Sequence, residues 1–498
     1  MSIAGCSGEG GGGNDGGEGG GDGGYLEEAS QLDWSSNWQE RLGYANALEN
    51  WPGESRQDVA PDDSPTDWEG REAITSAPWQ PPEGWDETSA ADVDSIQILN
   101  FGSLGFDPAT VARHEMVTDR TGIGREYLTP EVNTAIPKQQ SFLSAGQDRP
   151  TMFNVELQTF TSWVQNGWIA PQDPLWSDGM WEPFPSVVQD VLTSDRDPSR
   201  DGTHVYYAPQ IMNMPVYHVN RALLEDHGVD PEIASGEWTW SDLETVMGAF
   251  QDSDVAGFAH HGANDVYTLF DFLLMVYQQG GFIIQDDGSV QFNTDVGQEA
   301  LGRMVSWRED GLTPESVISY GQGDLTDVFL AEQAAIIWRW SSFISEGMNQ
   351  LGDDYYMAKP PAADTGPDPA QRALFNPNLL AINPHASNSE KMAALLFADA
   401  NRSYPAQWWE YTYEGNLSYA NRVYDDAVEL KDTLPAWQQE YSGAIREVQE
   451  LSSVEVWPSM NSTQIRTAEE ISLAISGSKS AEKALGDLQA YIDQVLGQ

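Results

Sequence analysis

The sequence predicts an α/β protein with a doubly wound, mainly parallel sheet and two lobes. Three observations carry this. Short apolar strands alternate with helical stretches from Ser95 onward, turn residues mark each change, and 498 residues exceed what one ordinary core accommodates.

Residues 96–100 (Ile-Gln-Ile-Leu-Asn) read as a strand running into a turn at 101–105. Pro108 opens a helix in the first-turn position that proline tolerates, and Gly122 stops it. A second strand covers 124–128, a helix 134–145 and a third strand 151–157; a helix carrying Phe160, Trp163 and Val164 ends near Gly167. This β-α-β-α-β order implies parallel strands. Ligands of such sheets sit beyond the carboxyl ends of the strands, which places Asn100 to Ser103 and Glu156 to Gln158 at a binding edge.

Further along, 206–209 and 216–220 are strand-like, and helix formers at 221–227 are closed by Gly228. Ser241 is the expected N-cap of a helix through Phe250. Helices are expected at 267–278, 296–309, 391–400, 462–476 and 480–496. No internal repeat is apparent.

Charge excludes whole classes of partner. The chain has 78 acidic and 24 basic residues, a net charge of −54. Such a surface repels nucleic acid and anionic lipid. The acid is spread along the whole chain, so self-repulsion opposes a compact fold at low salt, and molar salt screens it. The pattern resembles proteins of extreme halophiles. No apolar run approaches the length of about 18 residues that a spanning helix needs. One cysteine, Cys6, rules out an internal disulfide and a cysteine-based zinc site. The seven histidines have no metal-ligand spacing, and the adjacent pair His260 and His261 is expected on a solvated loop. No metal or cofactor is expected.

Residues 3–6 (Ile-Ala-Gly-Cys) resemble a lipobox, in which Cys6 would carry the lipid anchor of an exported protein at the outer face of the cell membrane. Only five residues precede that cysteine, fewer than a signal peptide needs. From Ser7 to Gly24, twelve residues are glycine, a composition that stays a flexible tether. Residues 25–94 form an N-terminal extension, with one amphipathic helix expected over 29–47 around Leu32, Leu42 and Leu48. A proline- and tryptophan-rich arm follows, partly disordered or draped on the body.

Several motifs then occur in a telling order. Tyr206-Tyr-Ala-Pro209 precedes Val216-Tyr-His-Val-Asn220; Trp238-Thr-Trp-Ser-Asp-Leu243 opens a helix; Gln279-Gly-Gly-Phe282 ends one. Phe329-Leu-Ala-Glu-Gln-Ala-Ala-Ile336, Leu379-Leu-Ala-Ile-Asn383 and the terminal Ile475-Ser-Gly-Ser-Lys-Ser-Ala-Glu-Lys-Ala-Leu485 follow. Together, from about Ser95 to Gln498, they resemble the family 1 extracellular solute-binding proteins, the maltodextrin- and sugar-binding group of ABC importers. Glu332 departs from the family's glycine, and His-Val-Asn-Arg replaces the usual core of the crossing segment.

The resemblance implies a two-lobe, periplasmic-binding-protein-like fold. Lobe 1 would hold 95–208 plus 373–418, and lobe 2 would hold 209–372 plus 419–498. A monomer would close its hinge over a small solute and present it to permease subunits.

A neutral sugar needs ring faces for its C–H surface and paired hydrogen bonders for its hydroxyls. The resemblance puts Trp338, Trp340 and Trp457 where rings would stack. Asn100, Ser103, Glu156 and Gln158 follow the first and third strands. Asn213 lies in the crossing segment, Asn376 and Asn378 precede the return strand, and Tyr419 follows a second crossing turn. Basic residues are scarce at these edges, Arg339 being the exception, which disfavours strongly anionic solutes. The rival reading is an extracellular glycoside hydrolase or other carbohydrate-active surface protein. A hydrolase would need two carboxylates about 5 to 9.5 Å apart. No nucleophile elbow or phosphate loop supports another enzyme class, and no catalytic residue is assigned.

Overall fold

The computed structural model describes residues 23–45, 79–100, 108–130, 132–156, 159–176, 180, 184, 204–412, 416–429, 436–452, 455–457 and 459–497. Cys6, nearly all of the glycine tether, Leu48, most of the proline-rich arm, Ser103 and Gln158 lie outside them.

The chain begins with a short helix, α1 (Gly23–Ala29), and a single turn, α2 (Trp38–Arg41). Over the described residues 29–45, the single helix expected over 29–47 does not form. The Trp34 indole N–H donates to the Ala29 carbonyl at 2.8 Å and closes α1, and the Arg41 guanidinium donates to the Trp34 carbonyl at 2.8 Å. Long-range contacts override local periodicity here.

The first sheet starts as expected. β1 (Ser95–Leu99), α3 (Pro108–Thr121), β2 (Gly124–Leu128), α4 (Val132–Ser144), β3 (Met152–Glu156) and α5 (Phe160–Gln165) follow in order. β1 lies between β2 and β3 and runs parallel to both. β4 (Ala208–Asn213) also belongs to this sheet, so the first crossing falls at Met214.

The second lobe opens with β5 (Pro215–Asn220) and α6 (Arg221–Asp226). Then come α7 (Trp240–Ala249), β6 (Ala256–Ala259), α8 (Val266–Gln278), α9 (Asp295–Glu309) and α10 (Gln322–Leu330). β7 (Ala334–Trp340), α11 (Ile344–Leu351) and β8 (Tyr355–Ala358) complete it. The N-cap of α7 is Thr239 rather than Ser241, because Asp242 three residues on returns the bond and forms a capping box.

β9 (Asn376–Ile382) returns to the first sheet and pairs antiparallel with β3 and β4. The first sheet has the order β2-β1-β3-β9-β4 and the second β6-β7-β5-β8. In the second, only β6 and β7 run parallel, because β5 enters straight from the crossing and lies antiparallel to both β7 and β8. α12 (Asn388–Asn401) and α13 (Tyr404–Thr412) cover the first sheet's side. α14 (Asn421–Glu429) and α15 (Ala436–Leu451) stand at the next passage, and α16 (Met460–Ile475) and α17 (Ala481–Leu496) pack on α8 and α9.

The described parts of the N-terminal extension are packed onto the first lobe. The Tyr25 hydroxyl donates to the Pro171 carbonyl, and the Glu28 carboxylate takes both the N–H and the hydroxyl of Ser89 at 2.6 and 2.7 Å. Trp79 is fully buried, and its indole N–H meets Asp399 at 3.0 Å. Among the described residues no helix is long and apolar enough to cross a membrane.

Candidate functional site

Strand register assembles the site around the first crossing. On the first sheet, Glu156 at the carboxyl end of β3 is the partner of Asn378, Ile211 is the other partner of Asn378, and Asn213 pairs with Asn376. Four of the polar residues expected at a binding edge therefore line one edge of this sheet. On the second sheet, Pro215 pairs with Trp340, and the Ser341 N–H donates to the Met214 carbonyl at 3.0 Å. Only Met214 separates Asn213 from Pro215, so the two sheets bring these ends together.

β7 then supplies ring surface. Successive strand residues point to opposite faces, so Trp338 and Trp340 share one and Arg339 takes the other. The two indoles stand edge to face with centroids 5.7 Å apart. Phe270 of α8 meets Trp340 at 5.5 Å, and the His261 ring meets Trp338 at 4.9 Å and Tyr267 at 5.4 Å. The Trp338 indole N–H is buried with no hydrogen-bond partner among the described residues. Unpaired buried donors are rare, and a ligand hydroxyl is one remedy for them.

Tyr267, at the start of α8, feels groups from both lobes. Burial, then the Glu156 carboxylate, push its phenol up to about 12, while Arg339 and the Trp340 indole N–H act the other way. The Tyr267 hydroxyl is thus neutral and a donor at ordinary pH. Burial lowers the Arg339 guanidinium to about 10, with Tyr267 and Glu346 opposing, so it stays charged. One Arg339 N–H donates to the Gln322 carbonyl at 3.2 Å, and its guanidinium lies 5.5 Å from the Phe343 ring centre.

Behind the rings stands a buried polar prop. The histidine pair expected in solvent is buried instead: His261 donates its backbone N–H to Asp271 at 2.7 Å, and its Nδ1 lies 3.0 Å from the other carboxylate oxygen. His260 turns Nδ1 to the His261 carbonyl at 2.8 Å. Burial works to raise the Asp271 carboxyl, but the two imidazoles outweigh it and hold it below its ordinary value. Among the described residues no cluster of three or more His, Cys, Asp or Glu side chains is arranged to hold a metal ion.

The remaining expected residues are placed as follows. Asn100 is fully buried after β1, with neither side-chain amide atom paired among the described residues, and the Asn213 side-chain oxygen is likewise buried and unpaired among them. Tyr419 is fully buried between α13 and α14, where its hydroxyl bonds backbone carbonyls. Trp457 is buried deeper in the second lobe, its indole N–H on Thr463 at 2.9 Å and its ring edge-on to Phe292 at 5.3 Å. Among the described residues its ring contact is with Phe292 and not with Trp338 or Trp340.

Tyr267, Phe270 and His261 were not legible as site residues. One signal existed: Asp271 is a lone acid inside an otherwise apolar helix, and a buried acid needs a partner.

Over residues 126–408, more than half its length, the sequence matches the bacterial extracellular solute-binding protein family. The chain belongs to this family. Its members are binding proteins rather than enzymes, and the two-lobe fold places the assembly around Met214 between the lobes. Solved structures share the fold at low identity. A maltose-bound protein of T. maritima has a TM-score of 0.69 and 18% identity over 80% of this chain and 99% of its own. A Listeria monocytogenes ABC substrate-binding protein in complex with cycloalternan has a TM-score of 0.66 and 19% identity over 82% and 100%. An Agrobacterium radiobacter solute-binding protein in complex with ribitol has a TM-score of 0.64 and 15% identity over 80% and 98%. By sequence, no curated protein matches this solute-binding protein.

Proposed function

We propose that this solute-binding protein captures a sugar or polyol between its lobes, without chemical change, and delivers it to the permease of an ABC importer. The observation that carries this reading is that the charge of Glu156, from one lobe, acts on the phenol of Tyr267, from the other, beside the Trp338–Trp340 ring pair. Carboxylate and phenol provide paired hydrogen bonders, and the perpendicular indoles provide apolar faces. Asn100, Asn213, Asn376 and Asn378 extend the polar set along the first lobe's edge. The named ligands of similar folds, maltose, cycloalternan and ribitol, are all neutral and rich in hydroxyls, which supports the same class here.

The protein works as a monomer at the outer face of the membrane, tethered through Cys6, in concentrated salt. The lipobox-like Ile3-Ala-Gly-Cys6, the glycine-rich stretch after it and the net charge of −54 support this.

A thermal-shift series at molar salt tests the reading, since a ligand that binds only the folded state raises its stability. Maltose, longer maltodextrins, ribitol and chitin oligosaccharides form the panel. At least one is expected to raise Tm in a saturable way and to be recovered unaltered. No shift from any sugar or polyol, with tight binding of a phosphorylated or amino-acid ligand, would overturn it.

A further inference from the structure

Tyr419 touches both strand passages between the lobes and the segment that follows α13. Its backbone lies after α13, where the neighbouring Leu417 carbonyl accepts the Met212 N–H at 3.4 Å. Its hydroxyl lies 2.7 Å from the Ile211 carbonyl on β4, which leads into the first crossing. The same hydroxyl lies 2.9 Å from the Asn378 carbonyl on β9, which leaves the second. Its ring stands edge-on to Phe375, at the end of that second passage, at 6.1 Å.

The two carbonyls are not an arbitrary pair. Ile211 and Asn378 are register partners, and the β4–β9 ladder slips between Pro209 and Ile211. A bulge interrupts regular ladder bonding, and a buried carbonyl without a donor is costly. The phenol supplies that donor from outside the sheet. Gln407 fixes the phenol's own chain, its side-chain oxygen accepting the Tyr419 N–H at 2.8 Å and the Ser418 hydroxyl at 3.1 Å. Burial first, and then Glu410, keep the hydroxyl protonated and able to donate.

We infer that Tyr419 is a hinge-positioning residue that pins β4, β9 and the segment after α13 together, so that lobe rotation is confined to the few residues around Met214. This rests on the binding reading above. The clamp holds the chain rigid up to Ile211 and Asn378, and the dihedral change of closure falls beyond them. Without it the pivot spreads into the sheet, and fewer molecules populate the arrangement in which the Glu156 charge acts on Tyr267. A ligand that needs that arrangement binds more weakly by the lost fraction, whatever the ligand is.

The test is Tyr419→Phe, which keeps the ring and removes the clamp. Every ligand of the wild type is expected to weaken by one common factor, roughly two- to tenfold, the range set by one buried hydrogen bond. The rank order of ligands should not change. Spin labels at Ser141→Cys on α4 and Ala490→Cys on α17, both exposed, in a Cys6→Ser background, report the interlobe distance directly. The ligand-free distance distribution should broaden in Tyr419→Phe, a change that a purely local structural role would not produce. Unchanged affinity with an unchanged distribution would overturn the inference. So would weakening of some ligands and not others, which would make Tyr419 a ligand contact. If the wild type binds no sugar, the proposed function fails while the ligand-free distance measurement still decides the hinge.

Discussion

Arg41 and Asp399, 358 positions apart, form a buried ion pair that ties the N-terminal extension to the first lobe. Asp399 also pairs with Arg402 on its own side and accepts the Trp79 indole N–H at 3.0 Å. The carboxylate is completely enclosed, so its charge is tolerated only because two guanidiniums and an indole surround it. The extension is therefore part of the folded lobe at these points, and the two groups it brings to Asp399, the Arg41 guanidinium and the Trp79 indole, have no substitute in water.

Asp399→Asn should destabilise the protein by about 3–5 kcal/mol, because it leaves two buried guanidiniums without their counter-charge. Chemical unfolding at fixed salt measures this; a loss below about 1 kcal/mol would mean the pair is not enclosed as described. The pair also predicts a pH dependence. Burial works to raise the Asp399 carboxyl, and Arg41 and Arg402 outweigh it, so the folded-state value lies below the ordinary 3.8. A depressed carboxylate contributes stability that is present above about pH 4 and is lost as pH falls through the folded value. Wild-type stability should therefore drop on acidification below pH 4 more steeply than that of Asp399→Asn.

Glu156→Gln should weaken ligand binding roughly tenfold to a hundredfold, the worth of one charge-assisted hydrogen bond, with little change in Tm. Titration calorimetry with the best ligand of the thermal-shift panel measures it. The same substitution should lower the Tyr267 phenol from about 12 towards its ordinary 10, though not all the way, since burial is the larger cause. Ultraviolet titration of tyrosinate in wild type and variant reads this shift without any ligand.

Asp271→Asn should cost about 1–3 kcal/mol, because the His261 backbone N–H and imidazole lose a charged acceptor in a dry site. The His261 ring packs on Trp338, so the near-ultraviolet circular dichroism of the tryptophans should change as well. An unaltered spectrum with unaltered stability would show that the prop does not hold the rings.

Salt should stabilise the protein strongly. With a net charge of −54, self-repulsion opposes compaction, and the Debye length falls from about 10 Å at 0.1 M to about 3 Å at 1 M. Tm measured in sodium chloride from 0.1 M to several molar should rise throughout; a flat or falling curve would remove the basis for a high-salt habitat.

The sequence by itself determined the α/β class, the β1-α3-β2-α4-β3 order, the charge character and which strand ends carry polar residues. These are local properties: apolar periodicity, turn residues and caps act over a few neighbours, and the structure keeps them at β1, β3 and α8 almost residue for residue. It did not determine that the Glu156 charge acts on Tyr267, that His261 is buried on Asp271, or that the Tyr419 hydroxyl is spent on Ile211 and Asn378. Those facts depend on strand register and on contacts between residues as far apart as 208 positions, as from Ile211 to Tyr419. A local stretch of chain carries no record of what will lie across from it. Even where a local rule applied, as over 29–47, the buried charge of Asp399 drew Arg41 inward and the helix gave way, since an unpaired charge in the interior costs more than a few turns of helix gain.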